Sequence, residues 1–401
     1  MKYRVLIVDD SVVMRRIVKQ SLESDPEIEV AGVAANGRIA LAMVGQHTLD
    51  AITLDIEMPE MDGLETLREL RARGIRTPVI MFSTLTERGA LATLDALAAG
   101  ADDYVAKPAN VGSVQDSMAR IRLEVVPKIK ALCWRSKGYR WPVAPQPQPP
   151  PPLASALGSP LHPESALSTR AAMGSPAALT QPRIDIVAIG TSTGGPNALA
   201  EVIPHIPADF PVPIVIVQHM PPTFTRFLAE RLTAASPLVV REGVSGTRLE
   251  PGQAWIAPGD FHMNLRREEG AVRLGIFQAP PENSCRPSVD VLFRSVAEIY
   301  RENALTVVMT GMGQDGLRGC EHVKEAHGQV IVQDEASSVV WGMPGFVAKA
   351  GLADCVLPLP EIADEIVRRV NRGRRALPYG APASSARERV EANAKGGEYG
   401  A

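Results

Sequence analysis

Ser192 lies in Ile184-Asp-Ile-Val-Ala-Ile-Gly-Thr-Ser192-Thr-Gly-Gly-Pro196, an apolar run that reaches a glycine-flanked serine and then a proline able to open a helix. Gly190-x-Ser192-x-Gly194 has the spacing of a nucleophile elbow, whose small neighbours let the hydroxyl project and a substrate carbonyl approach the backbone. Such a serine attacks an acyl carbon only when a base takes its proton and a third group orients that base. Of the histidines, His219 ranks first as base, because Ile214-Val-Ile-Val-Gln-His219 places it at the end of an apolar strand. His262, after the turn at Gly259-Asp260, ranks second. His47 and His162 belong to other parts of the chain, and His205, His322 and His327 read as ordinary helix or loop residues. Asp315, in Thr310-Gly-Met-Gly-Gln-Asp315-Gly, is the candidate orienting carboxylate, although an aspartate before a helix also reads as a plain N-cap. Gly311-x-Gly313-x-x-Gly316 resembles a dinucleotide fingerprint but has no acidic ribose ligand at a strand end about 20 residues on. The glycines around Ser192 suit a phosphate at a helix N-terminus, yet no P-loop lysine accompanies them.

A second set of reactive residues precedes this one. Asp9 and Asp10, Asp55, Ser83 and Lys107 each follow an apolar run. Clustered carboxylates make a hard oxygen site suited to Mg²⁺, and Lys107, before Pro108, places a point charge for a phosphoryl group. Singly these residues read as N-caps and turns; their joint order at successive strand ends reads as a phosphoacceptor site.

The elements that must position these residues follow from the hydrophobic pattern. Apolar strands are expected at Arg4–Val8, Ile28–Val33, Ala51–Leu54, Val79–Phe82 and Asp103–Val105. Amphipathic helices are expected at Val12–Leu22, Gly37–Val44, Gly63–Arg73 and Arg88–Ala99. Five such units over residues 1–130 predict a flavodoxin-like α/β domain with a parallel sheet covered on both faces, its ligands outside the carboxyl ends of the strands. Residues 131–183, with Pro147-Gln-Pro-Pro-Pro-Pro152, read as a linker. Over residues 184–375 alternation returns with strands at Ile184–Ile189, Ile214–Val217, Leu305–Met309 and Gln329–Val332, predicting a doubly wound α/β domain. The short strands and turns of 238–278 suggest an antiparallel hairpin, and 376–401 reads as a flexible tail.

Composition removes several function classes. A net charge of −3 offers no basic footprint for nucleic acid, and the glycine-rich second half has no compact basic helix-turn-helix. Four cysteines without C-x-x-C spacing suggest neither a zinc cage nor a disulfide framework and fit a reducing cytosol. The apolar start Val5-Leu-Ile-Val8 is too short for a signal peptide and nothing reaches spanning length, so a cytoplasmic protein without membrane insertion is expected.

Leu6-Ile-Val-Asp-Asp10-Ser, Thr53-Leu-Asp55-Ile-Glu-Met-Pro59-x-Met-Asp-Gly63 and Tyr104-Val-Ala-Lys107-Pro108 together resemble a response-regulator receiver domain. The resemblance implies that Asp55 is phosphorylated and that Asp9, Asp10, Asp55 and the Glu57 carbonyl hold Mg²⁺. It further implies that Lys107 contacts the phosphoryl group and that Ser83, or its neighbour Thr84, forms a switch pair with Tyr104. Ile189-Gly-Thr-Ser192-Thr-Gly-Gly195, Gln218-His219-Met-Pro-Pro222-x-Phe224, Pro287-Ser-Val-Asp-Val-Leu-Phe293, Thr310-Gly-Met-Gly-x-Asp315-Gly316 and Gly342-Met-Pro344 resemble the effector domain of the chemotaxis protein-glutamate methylesterase, the CheB family. Gln314 departs from the family's usual asparagine, and the linker is longer and richer in proline. The implied activity is hydrolysis of glutamate methyl esters, and deamidation of glutamines, on chemoreceptors by a triad of Ser192, His219 and Asp315. The backbone amides of Thr193 and Met312 are the oxyanion candidates, and hydrolysis itself needs no cofactor. A chemotaxis histidine kinase would be the phosphodonor. The rival reading is a catalytically silent adaptor or phosphate sink.

Overall fold

The computed structural model describes residues 2–107, 113–133, 182–372 and 374. Pro108, most of the linker 131–183 and the tail 376–401 lie outside the described residues. The first unit alternates β1 (Tyr3–Val8), α1 (Val12–Glu23), β2 (Ile28–Ala34), α2 (Gly37–Val44), β3 (Ala51–Asp55) and α3 (Gly63–Ala72). It continues with β4 (Val79–Ser83), α4 (Glu87–Ala98), β5 (Asp103–Ala106) and α5 (Val114–Cys133). Its sheet runs β2-β1-β3-β4-β5, all parallel, as expected for the flavodoxin-like class. The strands are nearly continuous Val, Ile and Leu because both faces are covered by helices. Helix starts are set by side-chain caps: Ser11 accepts from Met14 N–H, Asn36 from Ile39 N–H and Thr86 from Gly89 N–H. Asp62 and Glu65 close a reciprocal capping box on α3.

The second unit contains β6 (Ile186–Thr191), α6 (Gly195–Val202), β7 (Ile214–Gln218), α7 (Phe224–Ala235), β8 (Val239–Glu242) and β9 (Gln253–Ile256). After β10 (His262–Glu268) and β11 (Ala271–Phe277) come α8 (Val289–Tyr300), β12 (Ala304–Val308), α9 (Leu317–Glu325) and β13 (Gln329–Gln333). It ends with α10 (Met343–Lys349), β14 (Cys355–Leu357) and α11 (Leu359–Asn371). The main sheet has the order β14-β13-β12-β6-β7-β9-β8, all parallel. Strand succession reverses between β6 and β12, which makes the crevice outside their carboxyl ends the natural ligand site.

The hairpin expected within 238–278 exists, as the antiparallel pair β10–β11, but it occupies only the second half of that stretch. β8 and β9 instead extend the parallel sheet beyond β7. Short strands with few residues per face carry no local mark of their partner, so pairing was decided by the tertiary fit of β9 against β7. Among the described residues no helix is long and apolar enough to cross a membrane.

Gly190 ties the sheet to α8. A Cβ there would stand 2.5 Å from Val289 Cγ1, the branched side chain that opens α8 and has little rotamer freedom to yield. Gly190→Ala is therefore expected to cost about 1–3 kcal/mol through overpacking. Urea unfolding of the second unit measures this, and an unchanged midpoint would refute the account.

Candidate hydrolytic and phosphoacceptor sites

Ser192 leaves β6 in a turn pinned from two directions: its amide donates to Thr310 O (3.0 Å), and its carbonyl accepts from Gly195 N–H (2.8 Å). Gly194 starts α6 in the left-handed region at φ 77°, and a Cβ there would also strike Val339 at 2.6 Å, so the position admits only glycine without strain. His219 follows β7, whose pairing with β6 brings the two strand tips together; its amide donates to Thr191 O at 3.1 Å. The carboxamide of Gln218 locks these tips. It accepts from Thr191 Oγ1 (2.5 Å) and donates to the carbonyls of Ser192 (2.9 Å) and His219 (3.2 Å).

Asp315 reaches the imidazole from the loop after β12, its Oδ2 lying 2.8 Å from His219 Nε2. It is not an N-cap, since α9 begins behind Gly316. Its carboxylate sits at the start of α8 and accepts from Val289 N–H (2.6 Å), Asp290 N–H (3.1 Å), Ser288 Oγ (2.8 Å) and Asn283 Nδ2 (2.9 Å). Burial alone would raise its pKa, but the bonds and charge of His219 and these amides hold it well below the usual carboxylate range. Burial opposes charging of His219, whereas the bonds to Asp315 and Cys285 outweigh it and raise the imidazole pKa well above its ordinary value.

Four residues to which sequence reasoning gave no role complete the frame. Asp290 takes the place of a cap for α9, accepting from Gly316 N–H (2.9 Å) and Gly319 N–H (2.6 Å). Its pKa is raised to about 6, first by burial and then by the neighbouring Asp315 charge. Ser288 and Asn283 support the carboxylate, and Cys285 Sγ lies 3.5 Å from His219 Nδ1. Both imidazole nitrogens are thus engaged, Nε2 by Asp315 and Nδ1 by the thiol. The available signal was an aspartate inside the apolar run Val289-Asp-Val-Leu-Phe293, which buries completely. No comparable signal marked Cys285. The second-ranked His262 lies elsewhere, its ring between Pro280 O and Ser288 N–H.

In the first unit Asp9, Asp10 and Asp55 converge, with oxygens within 4.8 Å of one another. Lys107 Nζ bridges Asp55 Oδ2 (2.6 Å) and Asp9 Oδ2 (3.2 Å). Burial raises the Asp55 pKa to about 6 against the pull of Lys107, with the Asp9 charge adding to the rise. Glu57 N–H points at Asp55 Oδ1 from 3.4 Å. Ser83 is buried but faces α4: it donates to Gly89 O (3.0 Å) and accepts from Thr93 Oγ1 (2.7 Å). Thr84 Oγ1 contacts Thr86 Oγ1 instead.

Tyr104 points away from Asp55, onto the second unit. Its ring stacks on Phe224 of α7 with centroids 5.1 Å apart and planes 8° from parallel. Beside it Asp103 Oδ2 accepts a buried bond from Thr193 Oγ1 (2.8 Å), the residue after Ser192, and pairs with Lys128 Nζ (2.7 Å). Asn197 Nδ2 donates to Leu97 O, while Arg226–Glu87 and Arg231–Asp95 form exposed ion pairs around the rim. Val340 joins the apolar cluster of Val105, Ile121 and Val125, with Met312 and Val339 packed against it. The phosphoacceptor unit therefore rests directly on the loops that carry both oxyanion candidates.

Comparison with known proteins matches each unit to a family. Residues 5–119 match the response regulator receiver domain, and residues 187–366 match CheB methylesterase. A protein-glutamate methylesterase/protein-glutamine glutaminase of Trichodesmium erythraeum is 52% identical over 92% of this chain and 99% of its own. Its counterpart in a Nocardioides species is 49% identical over 94% of this chain and 98% of its own. The crystal structure of the Thermotoga maritima CheB methylesterase catalytic domain is 44% identical with a TM-score of 0.46, covering 47% of this chain and 99% of that one. At the identity and coverage of the first two relatives, the chain belongs to the CheB family of receiver-linked methylesterases.

Proposed function

We propose that the protein hydrolyses glutamate methyl esters on methyl-accepting chemoreceptors, and deamidates their glutamines, under control of its own receiver. The observation that carries this reading is the bonded His219–Asp315 pair, from the residue after β7 and the loop after β12, with Ser192 directly after the neighbouring strand β6. Ser192 Oγ attacks the ester carbonyl and gives its proton to His219 Nδ1, which the Cys285 thiol must first vacate. The imidazole passes that proton to the departing methoxide, releasing methanol, and Asp315 holds the ring through Nε2. The amides of Thr193 and Met312 are the proposed oxyanion donors; Gly311 packs so tightly on Ser192 that a Cβ would come within 2.8 Å of its Cβ, which keeps Met312 at the nucleophile. Water then hydrolyses the glutamyl-serine ester through the same base.

In the receiver, Asp55 is the proposed phosphoacceptor and a chemotaxis histidine kinase the phosphodonor. The three converging carboxylates form a hard, oxygen-only set that fits a divalent cation, which we take to be Mg²⁺ held by Asp9, Asp10, Asp55 and the Glu57 carbonyl. Such an ion supplies neutralisation of the phosphoryl oxygens. Lys107 already lies between Asp9 and Asp55, where it can pair with the phosphoryl group. Ser83 would have to leave Gly89 O and Thr93 to reach it, and Tyr104 would have to leave Phe224 for the switch pair to form. The dephosphorylated receiver then restrains the hydrolytic loops through Thr193 and Met312, and phosphorylation shifts the population towards release. We take the protein to act in the cytoplasm, where the methylated receptor helices would be exposed to it.

Methanol release from methyl-labelled chemoreceptor membranes is expected to rise when a small-molecule phosphodonor and Mg²⁺ are added, and to vanish in Ser192→Ala. Output that survives Ser192→Ala would favour the adaptor reading. Thr193→Val removes only the hydroxyl bonded to Asp103, a bond to a charged group worth about 1.5–3 kcal/mol. It is expected to raise the unphosphorylated rate by about 10- to 150-fold, and an unchanged resting rate would sink the restraint by Asp103.

Because the base must be neutral, kcat/KM should climb with pH through a midpoint above the ordinary imidazole value of about 6.5. In Asp315→Asn that midpoint should fall and the rate drop by about three orders of magnitude or more. The same raised pKa makes the imidazolium–carboxylate pair stabilising below the unfolded value, and that stability is lost as pH rises through the folded one. A flat profile from pH 6 to 9 in the wild-type protein would exclude His219 as the base.

A further inference from the structure

The nucleophilic side chain that touches the His219–Asp315 pair is the thiol of Cys285. Cys285 Sγ, His219 and Asp315 form a continuous nucleophile–base–orienter line, 3.5 Å and 2.8 Å at its two joints. The thiol is held there by a tight turn in which Glu282 and Cys285 exchange both backbone hydrogen bonds. Both central residues, Asn283 and Ser284, adopt left-handed backbone. Asn283 is anchored to Asp290 and Asp315, and Glu282 to Arg294 through two 2.6 Å bonds, so the turn keeps Cys285 beside the ring and the thiol vacates Nδ1 by rotating its own side chain. Cys285 is half-buried and open to small reagents. Of the other three cysteines, Cys133 and Cys320 are buried, and Cys355 is half-buried against the Arg369 guanidinium with its pKa raised by burial.

We propose that Cys285 is a modification site, a thiol activated by the hydrolytic base that exchanges with small-molecule disulfides and thereby switches the esterase off. The proton shared between Sγ and Nδ1 stays on the imidazole as sulfur attacks one sulfur of the disulfide. The new S–S bond forms as the reagent's own bond breaks, and the departing thiolate takes that proton and leaves as free thiol. The mixed disulfide then fills the Nδ1 side of the ring, where Ser192 must deliver its proton, and a reducing thiol reverses the block. The inference rests on the assignment of His219 and Asp315 as base and orienter, but it is read first by mass rather than by methanol release. Fast exchange at Cys285 in a protein without esterase activity would count against that assignment's hydrolytic role and leave the reactive thiol standing.

The full chain is treated with oxidised glutathione, and the added mass is located by peptide mapping over time. Cys285 is expected to be modified at least about tenfold faster than Cys355. His219→Gln, and independently Asp315→Asn, should slow Cys285 alone, with the Cys355 rate serving as a check that each variant is folded. Methanol release should fall in proportion to Cys285 occupancy, return with dithiothreitol, and keep its own untreated level in treated Cys285→Ala. Faster modification of Cys355, or a Cys285 rate indifferent to both substitutions, would overturn the activated thiol. Full occupancy with undiminished methanol release would overturn the switch.

Discussion

A carboxylate buried at a helix start carries an energetic liability unless its charge is met from several directions, and Asp315 is met from five. It accepts from His219, from the first two amides of α8 and from the side chains of Ser288 and Asn283. The amides present the positive end of the α8 dipole, so the site is organised around a charge that remains ionised at any pH near neutrality. Other features follow from keeping that charge in place. α8 must sit close to β6, which requires Gly190; the loop after β12 must arch back, which moves the cap of α9 from its own N-terminus to Asp290. The base is then oriented by a group that cannot itself take up the proton, the arrangement that a serine nucleophile needs.

Two sheets of one class place their reactive groups by one rule and are joined where those groups lie. Each parallel sheet collects ligands outside the carboxyl ends of its strands. Strand ends supply Asp9, Asp55 and Lys107 in one unit and Ser192, His219 and Asp315 in the other. The β5 and α4 region of the first unit lies on the α6 and α7 region of the second, with Tyr104 on Phe224 and Asp103 on Thr193. Ser83, at the tip of β4, binds α4 rather than Asp55, so the strand end beside the phosphoacceptor is tied to the helix that meets α7.

Much of this was legible because a reactive residue directly after a run of Val, Ile and Leu has few positions open to it. The five-stranded receiver sheet, the strands bearing Ser192, His219 and Asp315, and the convergence of Asp9, Asp10, Asp55 and Lys107 all followed from that. What stayed hidden depends on contacts between distant segments. β8 alternates exposed and buried residues as a hairpin strand would, whereas β9 is buried along most of its length, and both extend the parallel sheet from the edge of β7. Asn283 and Cys285 sit in a turn with no strand or helix to mark their direction, and only the return of that turn over His219 gives them a role. Asp315 had two local readings, and the choice between them depended on α8, which begins about 25 residues earlier.

The contact between Asp103 and Thr193 has an energetic form suited to switching. A buried carboxylate that lost its only partner would cost several kcal/mol, and a restraint of that size would lock the protein. Asp103 also pairs with Lys128 at 2.7 Å, a partner from its own unit, and Lys128 is further held by Tyr104 O at 2.8 Å. Release of Thr193 therefore breaks one hydrogen bond from a neutral donor and leaves no orphaned charge. Of the other ties, the stack of Tyr104 on Phe224 adds about 0.5–1.5 kcal/mol beyond the apolar area it buries, the Asn197–Leu97 hydrogen bond adds about 1 kcal/mol, Val340 adds its apolar packing, and the exposed ion pairs add little. A restraint built from such pieces can be outweighed by a charge-changing modification at Asp55, because a ligand shifts an equilibrium only by its differential affinity for the two states. In the proposed restraint the paired Lys128 is what keeps the Asp103–Thr193 contact weak enough to be reversible.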